Sequence, residues 1–218
     1  MTSDELRVHW ACRRGVEPEA LAAALVAEVW GVGPGELALV RCGGVPWVRI
    51  GRGGVGAGGA GAAPDAEGRW AAVSLSSSHG LGVGACLGPG APETATVGVD
   101  AEERAPFLAS GACAEDFAEV VLAPAELRWF RASARAGAAG SAAPLQLDRL
   151  LCTWVRKEAV MKALHTGLDT ARGGVAPQEI VVSPPWDEPA CLSHPEVRLT
   201  DHEAEGSRVL VSTAVRFR

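Results

Sequence analysis

Apolar and polar positions along this chain alternate in ways that predict strands and helices in segregated runs. Residues 18–30 read as a helix: Pro18 suits its first turn, Leu21, Leu25 and Val29 recur at four-residue steps, and Gly31 follows as a stop. Residues 36–40 predict a short strand. Residues 71–75 and 81–87 predict two apolar strands around a Ser-Ser-Ser-His turn, and 94–101 a further strand ending in an acidic cluster. Helices are expected over 115–122 and 124–135, then a break over 136–144. A long helix follows over 145–165, capped by Gly167. Late strands are expected over 180–183, 196–200 and 208–217. The Gly/Ala-rich stretch 51–68 has no periodicity and reads as a mobile surface loop. Its Gly56-x-Gly58 lacks the flanking strand and helix that a phosphate loop needs. Segregated runs favour α+β over a doubly wound sheet. They also suggest two halves, residues 1–96 and 97–218.

Composition narrows the class. With 218 residues, 48% of them hydrophobic, a packed core is feasible. No apolar run is long enough to span a bilayer, and the N-terminal residues lack a signal-peptide pattern, so the expectation is a soluble, cytoplasmic protein away from membranes. Six scattered cysteines show no zinc-type spacing and read as reduced, mostly buried thiols. A net charge of −6 argues against general nucleic-acid affinity. Among the 20 basic residues only Lys157 and Lys162 are lysines. Two lysines five positions apart in an arginine-biased chain hint at a role for a compact ammonium, though chance clustering gives the same pattern.

Candidate chemistry begins at Val97-Gly98-Val99-Asp100-Ala101-Glu102. On a strand Asp100 and Glu102 share a face, and two adjacent carboxylates call for a cation or a basic group between them. Oxygen-only ligation of that kind suits magnesium; a solvated strand end gives the same pattern. In the long helix, Leu147, Leu150, Leu151, Trp154 and Met161 form an apolar stripe, with Glu158 inside it and Lys162 at its edge. A Glu158–Lys162 pair would account for the spacing, but not for a carboxylate on the core-facing side.

Those two segments together resemble the paired signature of the 4′-phosphopantetheinyl transferases, specifically the type that activates surfactin synthetase. The acidic strand fits G-[IV]-D-x-E. About 50 residues later, Trp154-Val-Arg-Lys-Glu-Ala-Val-Met-Lys162 fits W-[SCT]-x-K-E-[AS]-x-x-K except at Val155. Ser74-Leu-Ser-Ser-Ser78 aligns with the family's N-[LI]-S-H-S turn, and Gly44-Val-Pro46 echoes its G-[KR]-P. The resemblance implies two similar α+β halves related by a pseudo-twofold axis, with coenzyme A in the cleft between them. It implies transfer of the phosphopantetheine arm to a serine of an acyl or peptidyl carrier protein, with release of adenosine 3′,5′-bisphosphate, by a monomer. Asp100, Glu102 and Glu158 would ligate Mg2+. Glu158 would also act as general base, and Lys162 would stabilise or protonate the leaving phosphate. Ser76, Ser77, His79, Lys157 and Arg41 would contact coenzyme A, with Lys157 on phosphate.

Two departures qualify these expectations. Ser77 stands where the family has histidine, and His79 follows two residues later, either as a substitute phosphate contact or as an ordinary turn residue. The arginine-rich N-terminal helix of the family is missing; Arg13, Arg14, Arg41, Arg49 and Arg52 are unranked candidates for the 3′-phosphate. These departures motivate an alternative: a degenerate member that binds coenzyme A or a carrier without transfer. Arg128, Arg131 and Arg135 share one side of their helix and read either as a solvated face or as a surface that steers acidic carriers. Trp10, Trp30, Trp47, Trp70 and Trp186 read as core residues. His194 and Asp201-His202-Glu203 read as loop surface.

Overall fold

A computed structural model of the chain describes residues 7–51, 68–109, 113–136, 142–166, 174–206 and 208–217. The glycine-rich loop 51–68, the Gly56-x-Gly58 pattern, Arg52 and the Gly167 cap fall outside these residues, wholly or nearly so, as does the side chain of Arg135.

Strand β1 (Val8–Arg14) leads into α1 (Pro18–Trp30), which ends where Gly31 adopts a left-handed φ of 63° and returns its amide to Ala27 and Glu28 carbonyls. Then come β2 (Leu37–Cys42), β3 (Val45–Ile50), β4 (Arg69–Ser78) and β5 (Leu81–Leu87), joined as one sheet in the order β1-β5-β4-β3-β2. The second part holds β6 (Thr96–Glu103), α2 (Arg104–Ala109), α3 (Ala114–Val121), α4 (Pro124–Ala136), α5 (Ala142–Leu164), β7 (Val197–Ala204) and β8 (Val209–Arg216). Its sheet runs β6-β8-β7. The fold is mixed α+β, as expected, and the order β6-β8-β7 repeats β1-β5-β4.

Several expectations change. Strands β1 and β3 and helix α2 were not anticipated, because none carries a long apolar alternation. Ser76, Ser77 and Ser78 belong to β4, so the turn is only His79-Gly80, both at positive φ (48° and 79°). Residues 180–183 contribute a single bridge, Val182 to Cys191, rather than a strand. Asp201-His202-Glu203 lies within β7, where the His202 ring packs 4.9 Å from Trp10 and pins β7 to β1. Trp186 is half exposed under the Arg149 guanidinium instead of buried in the core.

The largest cluster of buried apolar side chains lies between the two sheets. Val97, Val99 and Ala101 of β6 and Val209, Val211 and Val215 of β8 meet Leu81, Val83, Ala85 and Leu87 of β5. Burying side chains of this size is worth about 1.5–3 kcal/mol each. With its odd-numbered residues in that cluster, β6 turns its even-numbered ones toward α5. The approach is close: a Cβ on Gly98 would overlap the Ala159 carbonyl and crowd the Ala163 amide. Thr96 Oγ1 donates to the Ala163 carbonyl. Glycine at 98 is therefore what lets α5 settle onto β6.

Candidate functional site

Because α5 rests on Gly98, its Glu158 and Lys162 come over the polar face of β6. Lys162 Nζ donates to Asp100 Oδ1 at 2.7 Å and to the Val99 carbonyl at 3.1 Å. The other half of the cleft is β4, whose alternate serines meet β6 one by one. Ser74 Oγ accepts the Val99 amide at 2.9 Å, Ser76 Oγ donates to Asp100 Oδ1 at 2.7 Å, and Ser78 Oγ donates to Glu102 Oε2. A hydroxyl ladder on one sheet thus holds the carboxylates of the other.

Electrostatics ties the helix carboxylate into the same group. Glu158 is pushed up to about 7, first by burial and then by the Asp100 charge; Lys162 opposes the rise and Glu102 adds to it. Glu102 is also raised, mainly by burial and further by Asp100, against the Ser78 hydrogen bond and the nearby His79 and Lys162. Asp100 is 4% exposed, and its Oδ2 is buried without a hydrogen-bond partner.

Among the described residues no three His, Cys, Asp or Glu side chains stand arranged as a ready metal-ligand set. The cation in the cleft is the Lys162 ammonium. The donors nonetheless fit a hard divalent ion: they are carboxylate oxygens, they repel one another, and one buried oxygen is left unpaired.

Of the residues singled out from sequence, the structure gathers Ser76, Asp100, Glu102, Glu158 and Lys162, with His79 exposed at the rim. It does not gather the others. Ser77 is exposed and, by strand alternation, points to the opposite face from Ser76 and Ser78. Arg41 is exposed on the outermost strand β2, where it pairs with Glu19 at 2.7 Å and reaches the Gly44 carbonyl. Lys157 corrects its expected phosphate contact. It is 0% exposed and bonded to Glu126 and to the Pro177 and Ile180 carbonyls, so no ammonium hydrogen remains for a phosphate.

Among the remaining arginines, Arg14 bridges Glu103 and Glu205, and Arg131 pairs with Glu115 and Glu119, which offsets much of the steering charge on its helix face. Ser74 and Ser78 were missed as site residues. Their signal was present in the period-two spacing of 74, 76 and 78, once that stretch is read as strand.

A cavity of about 590 Å³ opens at the other end of the β4–β6 pair, lined by Trp30, Trp47, Trp70 and His165 among others. It lies apart from the carboxylates, four residues back along β6 at Thr96.

Comparison with known proteins bears on this arrangement. The chain is similar to several solved structures, three of which follow, each at low identity. Thermotoga maritima holo-acyl-carrier-protein synthase is 20% identical over 56% of this chain and 62% of that one, with a TM-score of 0.38. A Plasmodium yoelii acyl carrier protein synthase with ADP bound is 14% identical over 55% and 92%, TM-score 0.43. A Bacillus anthracis holo-acyl-carrier-protein synthase in complex with CoA is 22% identical over 55% and 93%, TM-score 0.38. No curated protein matches the chain. The model of the 4′-phosphopantetheinyl transferase superfamily matches residues 96–210, more than half of the sequence, running from β6 through α5 into β8. The chain belongs to the 4′-phosphopantetheinyl transferase superfamily, and is an enzyme of that class.

Proposed function

We propose that this protein transfers the 4′-phosphopantetheine arm of coenzyme A to a serine of an acyl or peptidyl carrier protein, in the manner of the surfactin-synthetase-activating type. The observation that carries this reading is Glu158, a half-buried carboxylate raised to about 7, set beside Asp100 and Lys162 in the cleft between the two sheets. A carboxylate held there can accept the proton of a serine hydroxyl, directly or through a water. Asp100, Glu102 and Glu158 are the residues that would hold magnesium. When bound, it offsets charge on the phosphate oxygens. Ser76 and Ser78 orient Asp100 and Glu102, so the ligand set is held from the opposite sheet. Lys162 is the cation within reach of the leaving phosphate. His79 stands at the rim, where an imidazole contact to phosphate is the role assigned to it. The remaining assignments are adenosine 3′,5′-bisphosphate as second product, action as a monomer, and cytoplasmic location.

The test incubates the protein with apo carrier domains, coenzyme A and magnesium, then weighs the carriers. The expected result is a phosphopantetheine-sized gain that disappears with chelator and in Glu158→Ala. A second reading, binding without transfer, is favoured by Ser77: at the position of the family histidine, its hydroxyl faces away from the acids. Coenzyme A binding without mass gain on any of several acyl and peptidyl carriers would establish that reading and overturn the first.

A further inference from the structure

Three consecutive charged residues on α5 leave the helix in three directions, about 100° apart. Glu158 goes to the carboxylate cleft. The two before it are buried clamps. Arg156, 1% exposed, donates to the Ser183, Pro184 and Asp187 carbonyls and pairs with Asp201 at 2.7 Å. Lys157, 0% exposed, donates to Glu126 Oε2 at 2.5 Å, the Pro177 carbonyl at 2.9 Å and the Ile180 carbonyl at 2.5 Å. Glu126, 1% exposed, is equally committed. Its Oε2 accepts the Ala123 amide at the start of α4, and its Oε1 accepts the Val182 amide, both at 2.8 Å.

A buried pair with every donor used is directional in a way that an apolar contact is not. Lys157 has three acceptors on two different chain segments, besides its own helix, and can satisfy them at only one rotation of α5. From this arrangement we infer that the Glu126–Lys157 pair, assisted by Arg156, is a positioning device: it fixes the rotational phase of α5 and so aims Glu158 at Asp100. This rests on the transferase reading above and assigns Lys157 a task that is not phosphate binding. A small rotation of α5 moves the Glu158 carboxylate off its target, and misplacement by about 1 Å costs on the order of 10²-fold in rate.

Two variants test it. Glu126→Gln keeps one acceptor oxygen, enough for either the Ala123 or the Val182 amide, and removes the charge that holds Lys157. Glu126→Met/Lys157→Met replaces the pair by apolar side chains of similar length, so that no charge is left buried alone, although the Ala123 and Val182 amides and the Pro177 and Ile180 carbonyls lose their partners. Each is checked for folding by circular dichroism, assayed for kcat and for the KM of coenzyme A, and titrated with magnesium by calorimetry. The expected result is a folded protein whose kcat falls tenfold or more with KM within twofold of wild type, and whose magnesium affinity falls at least tenfold.

Wild-type kcat in both folded variants would reduce the pair to a structural role. A tenfold rise in KM with unchanged kcat would return Lys157 to phosphate contact. If neither variant folds, the pair builds the fold rather than the aim of Glu158, and the proposal falls. Because the magnesium titration needs no turnover, it separates failure of this inference from failure of the assigned activity: an inactive wild type that binds magnesium, with variants that do not, upholds the positioning role alone.

Discussion

Lys162 Nζ lies 2.7 Å from Asp100 Oδ1, so the carboxylate cleft carries its own counter-cation. The Asp100 side chain is 6% exposed and that of Lys162 28%, which makes Asp100 the dependent member of the pair. Removing one partner of a buried pair leaves an uncompensated charge, at a cost of roughly 3–5 kcal/mol. The partial exposure of Lys162 places Lys162→Met toward the lower end. The metal-free variant is expected to melt several degrees below wild type by scanning calorimetry. Its rise in Tm on adding magnesium is expected to exceed that of wild type, since the ion no longer competes with an ammonium for Asp100. An unchanged Tm without metal would show that the pair carries no weight in solution.

Gly98 decides whether that pair can form at all. Its added methyl in Gly98→Ala meets backbone atoms of Ala159 and Ala163, which have no rotamer to escape into. Overpacking usually costs about 1–3 kcal/mol; a collision with helix backbone belongs at the top of that range. Urea titration is expected to give a lower midpoint with an unchanged m-value, together with a loss of the magnesium-induced stabilisation. A variant with wild-type midpoint and metal response would contradict the close approach of α5 to β6.

The serine ladder makes a prediction by contrast. Ser78 donates to the Glu102 carboxylate, whereas Ser77 is exposed on the other face of the same strand. A hydrogen bond to a charged group is worth about 1.5–3 kcal/mol. Ser78→Ala should lose stability toward that figure and weaken magnesium binding. Ser77→Ala should stay within about 0.5 kcal/mol of wild type. Ser77→Ala should also leave the KM for coenzyme A unchanged. Equal effects of the two substitutions, measured side by side, would refute the strand register.

Much of this was legible in the sequence, and the exceptions have physical causes. The spacing of Leu21, Leu25 and Val29 located α1, and the carboxylate inside the apolar stripe of α5 singled out Glu158 before any fold was known. What sequence spacing does not carry is which neighbour completes a charge. Lys157 and Lys162 look alike in the chain, yet one is sealed against Glu126, 31 residues earlier, and the other faces β6. Strand β3 was hidden for a related reason: it is short, and its register with β4 comes from pairing 19–25 residues apart. Ser76, Ser77 and Ser78 were read as a turn because a run of serines resembles one. Only the pairing of Ser76, Ser77 and Ser78 with Val83, Gly82 and Leu81 makes them a strand.

The raised proton affinity of Glu158 sets a pH dependence of stability with a defined sign. Its folded value of about 7 stands above the ordinary 4.5, so the folded state holds the proton more tightly than the unfolded state does. Between about pH 4.5 and 7 the native protein therefore binds more protons, and stability falls as pH rises through that window. Its contribution is fully present below the unfolded value and gone above the folded one. Glu102, also raised, acts with the same sign. Glu158→Gln keeps the shape of the side chain but cannot ionise. In metal-free buffer the variant should be more stable than wild type at pH 8, and the two should converge near pH 4. Magnesium should erase the difference at pH 8 by stabilising the wild-type carboxylate. Chemical denaturation of both proteins at pH 4, 6 and 8, with chelator and with magnesium, measures all of this. Stability of the wild type that rises relative to Glu158→Gln between pH 5 and 7 without metal would mean that Glu158 is not buried among carboxylates, and the charge arrangement described for the cleft would be wrong.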